Sequence, residues 1–107
     1  MSEQERRFPR LASHLSVLVR NIEDGGLEEL AHTKSIALGG CSFVSDEQIA
    51  QGASLEILIA VEHEVIRAEA RAVYARPLED GRREIGVEFT DLDGAAMRHI
   101  NNLFERQ

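Results

Sequence analysis

Three arginines stand within five residues near the start of the chain: Arg6, Arg7 and Arg10. A guanidinium forks onto phosphate, pairs bidentately with the O6/N7 edge of guanine and stacks on flat rings. The cluster therefore suits a small ligand that offers phosphate oxygens and planar bases. A second candidate segment is Ser35-Ile36-Ala37-Leu38-Gly39-Gly40. At Gly39 and Gly40 no Cβ stands between the backbone and an approaching base or phosphate. The other reactive side chains do not assemble into chemistry. His14, His32, His63 and His99 are scattered without metal-ligand spacing. Ser13 and His14 are neighbours on an extended segment, so their side chains point to opposite faces and form no nucleophile–base pair. Cys41 alternates with Phe43 and reads as a small core residue. The acidic pairs Glu28-Glu29, Glu79-Asp80 and Asp91/Asp93 read as solvated turns and a helix cap. No catalytic set, metal site or cofactor site is expected, so the sequence does not predict an enzyme.

Charge places the arginine cluster in an unusual setting. The chain has 107 residues and a formal net charge of −7. Residues 1–10 carry three arginines against two glutamates, whereas the remaining 97 residues carry 9 basic and 17 acidic groups. Binding to a nucleic-acid polymer is disfavoured, since that requires an extended positive field. The four Phe, one Tyr and no Trp also offer few platforms for stacking successive bases. Screening over about 8 Å at physiological salt lets a small dianion at the arm respond to the local cluster rather than to the distant acidic surface. A single cysteine excludes a disulfide framework. No apolar run reaches the ~20 residues of a membrane span. With no apolar segment behind the first charges, a cytoplasmic location is expected and membrane insertion is not.

The elements that must position these residues are mostly strands. Residues 1–10 are polar and aperiodic, and they read as a flexible arm ahead of a single domain over 11–107. Leu15, Val17 and Val19 alternate with Ser16, Leu18 and Arg20, which is a strand period. A second strand is expected over 27–36 after the Asp24-Gly25-Gly26 turn, and a third begins at Cys41. Residues 47–52 form a connection with room for one helical turn. Leu55, Ile57, Ile59 and Val61 mark the clearest strand. Ile66, Ala68, Ala70, Ala72 and Tyr74 follow at period two, opposite Arg67, Glu69 and Arg71. Asp80-Gly81 marks a hairpin turn, and Ile85, Val87 and Phe89 a last strand with Gly86 inside it, a sign of a bend or a close backbone approach. Asp93 stands where a helix N-cap belongs. Ala96, Met97, Ile100, Leu103 and Phe104 then recur at helical spacing over about 93–106, with Arg106 set against the helix dipole. Six antiparallel strands hide their edges best by closing into a small barrel.

Taken in order, these residues resemble the PilZ domain family. Arg6-Arg7-Phe8-Pro9-Arg10 is similar to the RxxxR motif that opens such domains. Ser35 to Phe43 is similar to the [D/N]xSxxG motif and its following strand. Gly52-Ala53-Ser54-Leu55, Ala72-Val73-Tyr74 and Ile85 to Phe89 match the usual layout. The resemblance implies a mainly β fold, a six-stranded antiparallel barrel with a C-terminal α-helix. It also implies a receptor for the bacterial second messenger cyclic di-GMP. By resemblance Arg6 and Arg10 are the motif pair and Arg7 a helper, with Ser35, Ala37, Gly39 and Gly40 completing the site. In the register anchored on the glycines, Ser35 stands at the Asp/Asn position and Ala37 at the Ser position, so the second motif is degenerate. An alternative register puts Thr33 and Ser35 at those positions and Leu38 where the glycine belongs. Strand alternation sets Lys34 on the opposite side from Ser35.

The functional expectation is a receptor or adaptor whose arginine arm becomes ordered on binding cyclic di-GMP and so presents a surface to a protein effector, in motility, pilus or biofilm control. The alternative is a PilZ-like protein-interaction adaptor that binds the nucleotide weakly or not at all, because Ser35 and Ala37 supply less than the full motif.

Overall fold

Among the described residues, alternating apolar and polar residues become seven strand segments and one helix. These are β1 (Leu11–Ala12), β2 (Ser16–Asn21), β3 (Glu28–Ala37), β4 (Gly40–Ser45), β5 (Ser54–Val61), β6 (Glu64–Pro77), β7 (Arg83–Leu92) and α1 (Gly94–Glu105). The computed structural model describes residues 11–23 and 28–105. The arm at residues 1–10, with Arg6, Arg7 and Arg10, lies outside the described residues, as does Arg106. All pairings are antiparallel, in the order β1-β3-β2-β5-β6-β7-β4. An additional β3–β4 pairing closes the sheet into a six-stranded barrel. The two-residue β1 continues the line of β2 along β3, where Leu11 pairs with Ile36 and Ala12 with Ser35.

The break between β1 and β2 is filled by Thr33. Its buried Oγ1 accepts a hydrogen bond from the Leu15 amide at 2.9 Å and shares one with Ser13 Oγ at 2.8 Å. A buried amide left without an acceptor costs about 1–3 kcal/mol, so Thr33 is a structural residue. Its engagement also disfavours the motif register that would place it at a ligand.

Inside the barrel, large and small side chains interleave across strands. Ile57 pairs with Ala68 and Leu55 with Ala70, so the bulk of β5 fills the space left by the alanines of β6. Phe43, Ile36, Cys41, Ile85 and Val87 complete the β3–β4–β7 side of the core. Residues 46–53 cross one end with a turn at 51–52 and no helical turn, pressing Ile49 and Ala53 into the core. Helix α1 begins as expected: the Ala96 amide donates to Asp93 Oδ1 at 2.7 Å. Its apolar stripe follows the expected one except at Met97. Ala96 and Ile100, one turn apart, are the buried pair, Leu103 and Phe104 pack against the core, and Met97 stands 44% exposed. Among the described residues no helix is long and apolar enough to cross a membrane.

Three irregularities break the strand period. On β3 the register shifts between Thr33 and Ser35, so Thr33 pairs with Phe43 and Ser35 with Ser42. Lys34 is the extra residue. On the β6–β7 ladder the register shifts between Glu69 and Ala70 and again between Ala72 and Tyr74. The second shift makes Val73 the extra residue. A single inserted residue exchanges inside for outside. Two expectations from strict alternation are corrected for this reason: Lys34 shares a face with Ser35, and Tyr74 leaves the face of Ala72.

Gly40 is required by the packing of β4 on β7. A Cβ at this position would lie 2.0 Å from the Val87 carbonyl oxygen. Gly40→Ala must push two hydrogen-bonded strands apart and should lower stability by at least about 1–3 kcal/mol. The midpoint of urea unfolding measures this; an unchanged midpoint would show that the β4–β7 spacing is not constrained.

Candidate ligand-binding face

The residues of the second motif lie on the outer face of the closing strands. Inside, β4 and β7 present Cys41, Phe43, Ile85 and Val87 to the core; outside, they present Ser42, Glu84, Gly86 and Glu88. Cross-strand register aligns these in rows. Ser35 of β3 pairs with Ser42 of β4, Ser42 with Gly86 of β7, and Gly86 with Tyr74 of β6. Beside it, Ala37 pairs with Gly40, Gly40 with Glu88 and Glu88 with Arg71. On the other side Val44 pairs with Glu84 and Glu84 with Arg76, and Lys34 projects from the β3 bulge next to them. The centre of this face on β3, β4 and β7 is thus made of serine, alanine and glycine, flanked by Glu84 and Glu88 with the cations paired to them.

Each predicted residue has a definite place in this arrangement. Ser35 Oγ shares a 2.9 Å hydrogen bond with Ser42 Oγ. Ala37 is buried at the end of β3. Gly39 sits in the two-residue turn to β4, and its carbonyl accepts the Phe89 amide at 2.8 Å. Gly40 lies against the Val87 backbone. The structure brings Ser35, Ala37, Gly39 and Gly40 together in one hairpin, while Arg6, Arg7 and Arg10 lie outside the described residues.

Sequence reasoning missed a polar cluster at the edge of this face. Tyr74 lies over Gly86, where a Cβ would stand 1.9 Å from its ring. The close approach expected of a glycine within a strand is therefore made by an aromatic ring. From there the Tyr74 hydroxyl donates to Glu84 Oε2 at 2.7 Å. Lys34 Nζ and Arg76 both donate to Glu84 Oε1, at 3.2 and 2.6 Å. Glu84 is only 7% exposed. Burial pushes its carboxyl up, but hydrogen bonds from Tyr74, Lys34 and Arg76, with the charge of Arg76, outweigh this and hold it below its ordinary 4.5. The signal that could have found the cluster is indirect: Gly86 inside a strand beside the aromatic of Ala72-Val73-Tyr74.

Among the described residues, other features do not compete as an anion site. A hollow of about 390 Å³ opens beside the 46–49 connection, but Glu28, Glu29, Asp46 and Glu47 line it and would repel phosphate. On the far side of the barrel, Arg20 and Arg67 are tied to Glu28 and Glu56. His14 and His32 stack with ring centroids 4.3 Å apart. Among the described residues no group of three or more His, Cys, Asp or Glu is placed to hold a metal ion.

A six-stranded antiparallel barrel closed by the motif hairpin and followed by a C-terminal helix defines a β-barrel binding domain of the PilZ class. A model of the PilZ domain matches residues 4–106, and the chain belongs to the PilZ domain family. Solved structures share the fold. The inhibitor of motility MotI/DgrA of Bacillus subtilis superposes with a TM-score of 0.81 at 20% identity, over 95% of this chain and 51% of that one. The PilZ domain of Escherichia coli YcgR with c-di-GMP gives 0.76 at 12% identity, over 96% and 91%. The K. pneumonia MrkH–c-di-GMP complex gives 0.72 at 19% identity, over 94% and 51%. This chain thus spans about half the length of MotI and of MrkH. No curated protein sequence matches it significantly.

The Glu84 cluster makes stability depend on pH in a definite direction. Because its carboxyl is held below 4.5, its contribution is present above that value and is lost as pH falls through the lower folded one. Wild type should melt above Glu84→Gln at neutral pH, and the gap should close as the medium is acidified below 4.5. A gap that persists in acid would assign the effect to shape rather than charge.

Proposed function

We propose that this protein is a cyclic di-GMP receptor that acts as an adaptor for a protein effector. The carrying observation is the outer face of the motif hairpin: Ser35, Ala37, Gly40, Ser42 and Gly86 in adjacent rows, with cationic side chains at the margin. Membership in the PilZ family supports the ligand class. So do the structural relatives YcgR and MrkH, each solved with c-di-GMP.

The mechanism assigns the phosphates and guanines of the ligand to Arg6, Arg7 and Arg10, while Ser35, Ala37, Gly39 and Gly40 form the surface on which it lies. A hydrogen bond to a charged group contributes roughly 1.5–3 kcal/mol, so three guanidinium groups supply much of a micromolar affinity of about −8 kcal/mol. Part of that is spent on ordering the 1–10 arm against the barrel. The ordered arm and bound nucleotide then form a new surface for the effector, and the ligand acts as a switch because it favours the docked arm. MotI, by its name an inhibitor of motility, supports motility as one process under such control; pilus and biofilm control are the others consistent with the family. The receptor works in the bacterial cytoplasm and carries out no reaction of its own.

A second reading rests on one observation. Ser35 is engaged with Ser42, and Ala37 is buried and has no polar group, so the second motif offers a guanine edge little. That favours an adaptor working by protein contact alone. Titration calorimetry with cyclic di-GMP separates the two. The proposal expects micromolar binding, weakened about tenfold or more by Arg6→Ala and by Arg10→Ala, and tightened by Ala37→Ser. No binding heat at hundreds of micromolar ligand would leave the adaptor reading.

A further inference from the structure

Lys34 is the chain's only lysine, and the β3 bulge turns it toward the motif face. Without the bulge, alternation would set it opposite Ser35; with Thr33 paired to Phe43 and Ser35 to Ser42, it projects outward beside Ser35. Its side chain is half exposed, and Nζ reaches Glu84 Oε1 at 3.2 Å. Arg76 reaches the same oxygen at 2.6 Å. Two cations therefore share one carboxylate, so the Lys34–Glu84–Arg76 group keeps one net positive charge. The longer bond makes Lys34 the partner freer to turn to another acceptor. Tyr74 and Arg76 would still hold Glu84 in place. An ammonium is a compact point charge on a flexible stem, suited to a phosphate oxygen or to guanine O6/N7.

Building on the cyclic di-GMP reading of this face, we propose that Lys34 is a ligand-contacting residue that compensates for the degenerate second motif. Ser35 lacks the carboxylate or amide of the full pattern, and Ala37 lacks its hydroxyl. Lys34 cannot copy a carboxylate, because it donates and never accepts. It recruits a different part of the ligand instead, an anionic phosphate oxygen or a base acceptor, at the end of the Ser35–Ser42–Gly86 row nearest Glu84. Before binding, Glu84 holds the ammonium near this position; on binding, the ligand acceptor replaces Glu84 as its partner.

Being the sole lysine, Lys34 can be followed directly. Reductive ¹³C-dimethylation of the intact chain labels one side chain besides the N-terminal amine and preserves its charge. Addition of cyclic di-GMP should move the Lys34 methyl signal. In parallel calorimetry, Lys34→Gln should weaken binding about ten- to hundredfold, and Lys34→Arg should restore it to within a few-fold. Binding by wild type with no change in Lys34→Gln, or with an unmoved Lys34 signal at saturation, would overturn this inference and leave the receptor reading intact. Absence of binding by wild type would overturn both.

Discussion

The pairing of β3 with β4 is the constraint on which the remainder of the molecule depends. Without it the sheet would end in two long open edges; with it every barrel strand has a neighbour on each side. Closure brings two demands into conflict at residues 33–35. Thr33 must face inward to satisfy the Leu15 amide, and Ser35 must face outward to meet Ser42. Two residues apart on a regular strand, they would share a face. The bulge at Lys34 resolves the conflict, and the same residue supplies an ammonium to the motif face. The tight seam also explains the small residues: Gly40 admits the Val87 carbonyl and Gly86 admits the Tyr74 ring.

Electrostatics on this barrel is organised by pairing rather than by net charge. Several surface carboxylates are tied to arginines: exposed Glu28 and half-buried Glu56 to Arg20, Glu56 also to Arg67, and half-buried Glu88 to Arg71. Solvent-accessible pairs of this kind contribute little to stability, but they cancel charge locally and, among the described residues, leave these arginines neutralised by carboxylates. Glu84 differs because it is nearly buried and takes two cations and a phenol. It fixes Tyr74, Arg76 and Lys34 around one point, which gives the margin of the face a defined charge.

Much of this was legible in the sequence, and the failures share one cause. Period-two runs located the strands, Asp93 announced the helix, and Gly86 inside its strand marked a close approach. The order of short motifs pointed to the family. The bulges were invisible because an inserted residue leaves no compositional mark: Lys34 and Val73 are unremarkable residue types, yet each reverses the face of the residues after it. Hence the misplacement of Lys34 relative to Ser35 and of Tyr74 relative to Ala72, and with them the loss of the Glu84 cluster. Met97 misled for a simpler reason: Ala96, small enough to sit against the barrel, took the buried position beside it.

The central claim is that cyclic di-GMP lies on the outer face of β3, β4, β7 and β6. Amide chemical-shift mapping of the isotopically labelled full chain during titration with cyclic di-GMP tests it most directly. Binding on this face predicts that the largest changes cluster at residues 34–42, at Gly86 and Tyr74, and in the arginine segment 6–10. Changes centred instead on the acidic hollow around residues 46–49, or on Leu18, Leu30 and Leu58 across the barrel, would contradict it.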